Sequence, residues 1–523
     1  MTHTPFARRI LHLVPIVICL AVAAGLRLPD LTSKPMHGDE ANQAHKAGRL
    51  LEGHGYRYDP HEHHGPTLYY ATLPVAWLKG QWTFADTDEW TYRIVPALFG
   101  IALIGLVLGL RGALTAKGAM AAALLLAVSP AFVFYSRYYI QEMLLIFFTA
   151  LALVACWGYC RAPGARRAGA IGVSLGLMHA TKETSALAVL AMLLALAGVL
   201  GWEYARGRAV AFPKGWQSHL GIGIAAGAVV SIAFFSSFGS NPRGVLDSVL
   251  TYTHYLERTG GEGSTAMHEQ PFHYYLSMLA WTQRPLGPVW SEGLVLVLGV
   301  LGAFAIIRGR FAPSTRARHF QRFLLGFAVL LTLMYSVISY KTPWNVLSFY
   351  LGIMLLAGIG AAWLIARARW WPVRLVVAVV LAAFTVQLAG QAQWATGRFA
   401  ADPRNPYVYA HTSTALLRLA ARAEELAEVH PDGHGLPIEV IHPAHDYWPL
   451  PWYLRKFPNT RYRGALVADA PAAMVLMPSP LAREHQEDFA RPYTAESHSL
   501  RPGVLWVAFI ERGLWAKFME GRQ

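Results

Sequence analysis

The stretch Met36-His37-Gly38-Asp39-Glu40-Ala41 places two adjacent carboxylates about ten residues after the first apolar run of the chain. A short acidic pair at that position anchors nothing in a bilayer. A carboxylate there can take or orient the proton of an attacking hydroxyl, which makes Asp39 and Glu40 the catalytic candidates. Further polar breaks recur between later apolar runs: Tyr135-Ser136-Arg137-Tyr138-Tyr139-Ile140-Gln141-Glu142, Thr181-Lys182-Glu183-Thr184, and Tyr340-Lys341-Thr342-Pro343-Trp344. Cations gathered round one pocket stabilise a phosphate leaving group as charge builds on it, so Arg137, Lys182 and Lys341 are the candidate phosphate contacts. Glu183 and Arg284 are secondary candidates. Asp39 and Glu40 are sequence neighbours and cannot face each other across a glycosidic bond as hydrolysis would require.

Each of these residues has a structural alternative. Lys182 and Lys341 can snorkel to lipid headgroups, and Glu142 can pair with Arg137 as a structural ion pair. The run His61-Glu62-His63-His64 is a weak metal pattern without a further ligand, and reads equally as solvated loop. Ionisable residues at a bilayer edge are nevertheless functional candidates by default.

The elements that position these groups follow from composition. The 523-residue chain is 54% hydrophobic and only 15% charged, against about 25% charged residues in a soluble chain. Apolar runs near the ~20 residues that span a bilayer recur along it. They fall at 10–28, 92–110, 119–135, 141–160, 217–238, 289–307, 321–339, 344–366 and 373–391. Residues 168–204 are too long for one ~30 Å crossing and divide into two at Thr181–Thr184. The fold class is an α-helical polytopic membrane protein of about eleven transmembrane helices. Residues 1–391 form the membrane part. Residues 392–523 lose hydropathy and mix a helical stretch, Thr414–Val429, with β-like runs at Ile438–Ile441, Met474–Leu476 and Val504–Ile510. This reads as a small soluble α/β domain. Leu68–Lys79 reads as an amphipathic interfacial helix.

The net charge of +14 does not point to nucleic acid, because no basic run is interleaved with exposed aromatics. The basic residues mark topology. The gaps assigned to one side carry 18 Lys and Arg against the single acid Glu203, whereas the first loop on the other side holds nine acids from Asp30 to Glu89. That asymmetry puts the N-terminus in the cytoplasm, the C-terminal domain outside, and every charged cluster named above on the extracytoplasmic face of the cytoplasmic (inner) membrane. Cys19, Cys156 and Cys160 all lie in apolar runs and form neither a disulfide framework nor a zinc pattern.

The acidic pair, the Tyr-rich segment 135–142, the Thr-Lys-Glu-Thr break, the Lys341-Thr342-Pro343 segment and Gly65-Pro66-Thr67-Leu68-Tyr69-Tyr70 together resemble GT-C membrane glycosyltransferases. The protein mannosyltransferases and the aminoarabinose transferases belong to that superfamily, and the resemblance covers residues 1 to about 391. It implies an inverting transfer of a sugar from a polyprenyl-phosphate donor to a glycan, lipid or protein acceptor. Asp39 matches the catalytic acid of the first loop, and Lys182 and Lys341 match donor-phosphate contacts. Glu142 matches an acidic residue that in some relatives helps hold a divalent metal, so Glu142, His63 and His64 are the candidates should a metal take part. Glu183 beside Lys182, and Trp344 after Pro343, depart from the lipid A enzymes, so their substrate does not carry over. The competing classes are a transporter or flippase of lipid-linked sugars and a cell-envelope assembly protein. A transporter would want midplane charges and internal repeats, and neither is visible. An assembly protein would use residues 395–523 as its binding face. The stretch Asp446–Arg455 receives no reading from sequence.

Overall fold

The computed structural model describes residues 5–61, 64–208, 212–260, 268–309, 311–467 and 472–522. Helices occupy the apolar runs. Among the described residues, seven are long and apolar enough to cross a membrane: Glu89–Leu114, Glu142–Arg161, Ser185–Tyr204, Trp216–Phe235, Thr315–Val337, Pro343–Arg367 and Trp371–Thr396. Shorter apolar helices lie at Leu13–Arg27, Ala116–Val128 and Gly293–Arg308. The chain is a multi-pass membrane protein. The long 168–204 segment divides as the sequence suggests: helices Ala165–His179 and Ser185–Tyr204 flank a turn that carries Lys182 and Glu183.

Small residues let these helices approach closely. A Cβ on Gly172 would overlap the Gly223 carbonyl, and Gly176 meets Gly227 in the same way. Glycines four apart thus face each other on Ala165–His179 and Trp216–Phe235, the device by which helices pack where lipid tails offer no hydrophobic drive. By contrast, Trp216–Phe235 and Trp371–Thr396 are each only 6% buried over their most apolar window and present most of their surface outward.

The first long loop is helical rather than extended. It holds α2 (Gly38–Leu51), which follows α1 (Pro5–Arg27), and α3 (Thr67–Leu78). Helix α4 (Glu89–Val107) then begins the next crossing. The α3 region is not amphipathic as the sequence suggests. Leu68, Tyr69, Thr72 and Ala76 are buried while Trp77 and Leu78 are exposed, so it is apolar nearly all round.

Two short strands, β1 (Thr282–Gln283) and β2 (Val289–Trp290), pair antiparallel in the later loop. The C-terminal segment holds a five-stranded sheet in the order β4-β3-β5-β7-β6. Its strands are β3 (Ile438–Ile441), β4 (Thr460–Arg463), β5 (Met474–Pro478), β6 (Tyr493–Arg501) and β7 (Val504–Glu511). The inner strands β3 and β5 are parallel and buried, and β6 and β7 close the sheet as a hairpin. Helices Ala415–Val429 and Arg512–Glu520 bury Leu416, Leu419, Leu426, Leu514 and Phe518 against one core with β3 and β5. Strands β4 and β6 are missed by hydropathy because they are polar and only partly buried.

This sheet segment is fixed to the first loop through Asp446–Arg455. Trp452 Nε1 donates to Glu89 Oε1 at 2.9 Å, Arg455 Nη2 donates to the Thr87 carbonyl at 2.7 Å, and the Tyr453 hydroxyl accepts from Met36 N–H at 2.9 Å. The stretch without a sequence reading is therefore the clasp between the two parts.

Candidate active site

The site is built on the N-terminus of α2. His37 caps that helix: its Nδ1 accepts from the Asp39 N–H at 3.0 Å, and the His37 N–H donates to Glu40 Oε2 at 3.1 Å. The two bonds form a reciprocal capping box with a histidine in place of the usual hydroxyl. His37 Nε2 lies 3.0 Å from the Tyr409 carbonyl oxygen, which can only accept. The ring therefore carries its proton on Nε2 and its lone pair on Nδ1. The cap can be tested. His37→Ala is expected to cost about 1 kcal/mol, and His37→Asn, a strong N-cap residue, to restore most of it. Thermal unfolding of the detergent-solubilised protein reads both.

The two carboxylates have opposite environments. The Asp39 side chain is 53% exposed, whereas Glu40 is completely buried. Glu40 Oε1 accepts from Arg93 Nε at 2.8 Å and from the Tyr139 N–H at 3.0 Å, and Oε2 accepts from Arg93 Nη2 at 2.9 Å. Lys34 Nζ sits 3.5 Å from Oε2 and 3.2 Å from the centroid of the Tyr138 ring. Burial opposes ionisation of Glu40, but Arg93 and Lys34 overcome it and hold its carboxyl well below the usual range. Both Glu40 oxygens are thus engaged, in the helix turn that carries Asp39.

Other loops meet at the same place. The His37 ring lies 5.8 Å from Trp344, 5.8 Å from His411 and 5.7 Å from Tyr138, centroid to centroid. The Tyr138 hydroxyl is 2.9 Å from His411 Nδ1, and the Tyr409 hydroxyl is 2.7 Å from His268 Nδ1. The Lys341 N–H donates to the His268 carbonyl at 2.9 Å. Segments 36–40, 138–139, 268–270, 340–344 and 409–412 thus converge on the N-terminal turn of α2. Burial pushes the His411 imidazole well below its usual range, with Lys34 and His37 adding to it, and pushes His268 down less strongly.

The three candidate phosphate cations are placed differently. Lys341 Nζ is buried and donates to the carbonyls of Gln270 and Ile338, so it braces a loop. Lys182 is ion-paired with Glu142 in a buried contact. Arg137 donates to the Asp30 carbonyl at 2.9 Å and lines a cavity of about 700 Å³. Lys34 and Arg398 line the same cavity, which is bounded by the end of α1 and the end of helix Trp371–Thr396. Glu183 is buried, with Oε2 2.9 Å from His64 Nδ1 and Oε1 accepting from the Tyr58 hydroxyl at 3.0 Å. Arg284 is exposed and donates to the carbonyl of Pro403, a residue that lines the Arg137 cavity.

Among the described residues the metal candidates do not assemble. Glu142 faces Lys182, His64 faces Glu183, and His63 lies outside the described residues. Among the described residues no three His, Cys, Asp or Glu side chains come together as a metal site.

Arg93 carries no motif signal in the sequence, although a lone arginine near the start of an apolar run demands a partner. It uses all five of its N–H donors: two on Glu40, and one each on the carbonyls of Leu31, Lys34 and Pro35 at 2.8–3.0 Å. Lys34, His268, Tyr409 and His411 carry no spacing signal that links them to the acidic pair.

The family described as dolichyl-phosphate-mannose-protein mannosyltransferase matches residues 68–240. Among solved structures, ArnT from Cupriavidus metallidurans bound to undecaprenyl phosphate aligns over 94% of this chain and 97% of its own, at 16% identity and a TM-score of 0.61. The oligosaccharyltransferase of Archaeoglobus fulgidus in its apo form aligns over 93% of this chain and 73% of its own, at 14% identity and a TM-score of 0.58. The same organism's AglB, in complex with an inhibitory peptide and a dolichol-phosphate, aligns over 95% and 74%, at 13% identity and a TM-score of 0.56. No curated protein matches the sequence. The chain has the fold of the GT-C membrane glycosyltransferases.

Proposed function

We propose that the protein transfers a sugar from a polyprenyl-phosphate donor to an acceptor hydroxyl on the extracytoplasmic face of the cytoplasmic membrane, with Asp39 as base. The observation that carries this reading is the exposed carboxylate of Asp39 on a helix turn fixed by Glu40, His37 and the loops around them. An acceptor O–H held at Asp39 gives up its proton to the carboxylate as its oxygen attacks the anomeric carbon. The bond from that carbon to the phosphate oxygen breaks, and polyprenyl phosphate leaves with the electron pair. A single displacement of this kind inverts the anomeric centre. The N-terminus faces the cytoplasm in this reading, and the five-stranded sheet lies outside.

The leaving phosphate is best served by Arg137. Of the three candidate cations it opens into a cavity, while Lys182 and Lys341 are engaged with Glu142 and with backbone carbonyls. Lys34 and Arg398 line the same cavity, beside Asp30 and Asp402. The flanking helix Trp371–Thr396 is largely unburied, so an isoprenoid tail has an apolar wall to follow. Likeness to ArnT, solved with undecaprenyl phosphate, supports the donor class. Arg137→Ala is expected to raise the KM for a polyprenyl-phosphate sugar about tenfold or more, the loss of one charged contact to phosphate. Steady-state kinetics at varied donor checks it.

The test of the reading is twofold. Cells with and without the gene are compared by mass spectrometry of lipid-linked sugars and envelope glycans. One lipid-linked sugar should accumulate and one glycan disappear when the gene is lost. The purified chain in proteoliposomes should release polyprenyl phosphate from that sugar donor. Donor that moves between leaflets unconsumed would instead make the protein a flippase.

A further inference from the structure

Glu292 is a buried carboxyl far from the acidic pair in sequence, placed just before helix Gly293–Arg308. Its partners are three hydroxyls and one backbone N–H. Oε1 accepts from the Tyr407 hydroxyl at 2.7 Å and from the Ala131 N–H at 2.9 Å. Oε2 accepts from the Ser129 hydroxyl, and from that of Tyr350 at 2.9 Å. Ser129, Tyr350 and Tyr407 are buried as well. A buried carboxyl is costly unless its oxygens are satisfied, so these four donors are held where they stand. One side chain thereby joins the start of helix Pro130–Tyr135, the crossing helix Pro343–Arg367 and the stretch of chain beyond the last crossing.

The Tyr407 arm leads to Asp39. The Tyr407 carbonyl accepts from the Tyr135 hydroxyl at 2.8 Å, and its N–H donates to Asn405 Oδ1 at 3.0 Å. Two residues on, the Tyr409 carbonyl takes the proton of His37 Nε2, and further on the Thr412 hydroxyl donates to the Met36 carbonyl at 2.6 Å. The stretch 405–412 is thus fixed at one end by Glu292 and Tyr135, and at the other it grips the two residues that open the first turn of α2. Between the two ends Ala410 has a φ of 42°. A residue other than glycine adopts that left-handed conformation at a cost, and keeps it only where its surroundings over-determine it. Tyr350, by contrast, carries its hydroxyl on a crossing helix.

We infer that Glu292 is a positioning residue for Asp39, acting through Tyr407 and the stretch 405–412 on the His37 cap. This deepens the proposed glycosyl transfer and rests on it. The arrangement needs the shape of the carboxyl and not its charge. In Glu292→Gln the Ala131 N–H can only donate, so the amide oxygen takes the place of Oε1 and keeps the bond from Tyr407. The amide NH₂ then faces the Ser129 and Tyr350 hydroxyls, which can turn to accept.

The test pairs Tyr407→Phe with Tyr350→Phe, each of which deletes one donor to the same carboxyl, and Glu292→Ala with Glu292→Gln. All are made in the full chain in phosphatidylcholine nanodiscs. Hydrogen exchange is followed at the Asp39 and Ala41 amides, which donate to the His37 ring and the His37 carbonyl. Thermal unfolding is read beside it, and so are kcat and KM with the lipid-linked sugar that accumulates in cells without the gene. Tyr407→Phe should speed exchange at the two amides about tenfold or more. It should lower kcat about tenfold to a hundredfold with the donor KM kept, the loss that a small misplacement of a reacting group brings. Tyr350→Phe should unfold at a similarly lowered temperature and keep the wild-type exchange and kcat. Glu292→Gln should recover most of what Glu292→Ala loses, and the tyrosine pair decides the matter if Glu292→Ala does not fold. Wild-type exchange in Tyr407→Phe, equal losses in the two tyrosine variants, or no rescue by glutamine overturns the inference. Exchange is read without substrate. The exchange pattern with no sugar transfer by the wild-type chain sinks the transfer reading alone, and transfer without the pattern sinks this inference alone.

Discussion

Asp39→Asn is expected to lower sugar transfer by about a hundredfold to ten-thousandfold, the range that one positioned general base supplies, while the protein unfolds at the same temperature. The second half of that expectation comes from burial. Asp39 is half exposed, and its fixed contact is through its backbone N–H to His37, which asparagine keeps. A carboxylate in the first turn of a helix gains from the macrodipole, but typically by less than about 1 kcal/mol. Asparagine also retains size and polarity, so the acceptor still fits while the proton has no carboxylate to receive it. Binding of the polyprenyl-phosphate donor should be unchanged, because Asp39 is not among the residues that line the cavity at Arg137. The measurement is kcat and KM in proteoliposomes beside thermal unfolding. A variant that folds and transfers at the wild-type rate would remove Asp39 from the chemistry.

Much of this arrangement is legible in the sequence. Hydropathy locates the helices because each crossing must be apolar on its own. The acidic pair stands out because nothing apolar explains it. What cannot be read is which carboxylate does which job. Asp39 and Glu40 are adjacent, and a helix turns about 100° between them, so one faces outward and the other inward. The direction depends on Arg93, 53 residues further on. Lys182 and Lys341 are legible as cations at a membrane edge, but not as groups engaged with Glu142 and with the Gln270 carbonyl. Those partners are set by loop packing, which has no period in sequence. Tyr409, His411 and Trp452 reach the site from beyond the last crossing, and long-range contacts of this kind leave no local pattern.

Removing Arg93 should be the most damaging single change to the fold of this region. Arg93→Met leaves Glu40 buried without its main counter-charge, and frees the carbonyls of Leu31, Lys34 and Pro35 from their donor. Breaking one partner of a buried ion pair typically costs about 3–5 kcal/mol. Glu40→Gln is the milder change, since the amide still accepts one guanidinium bond. The double variant Arg93→Met/Glu40→Gln should recover part of the loss, because no unpaired buried carboxylate remains. The sign with pH follows from the depressed carboxyl of Glu40. Its contribution is fully present above the unfolded value of about 4.3 and is lost as pH falls from there toward the lower folded value. Wild-type stability should therefore drop on acidification below that point, and the double variant should drop less. Transfer separates position from charge. If Glu40 only fixes the turn that carries Asp39, activity should track the fraction folded across these variants. If Glu40 shared the proton transfer, Glu40→Gln would lose activity far beyond its loss of stability, and limited proteolysis of the 30–42 segment would not account for the difference.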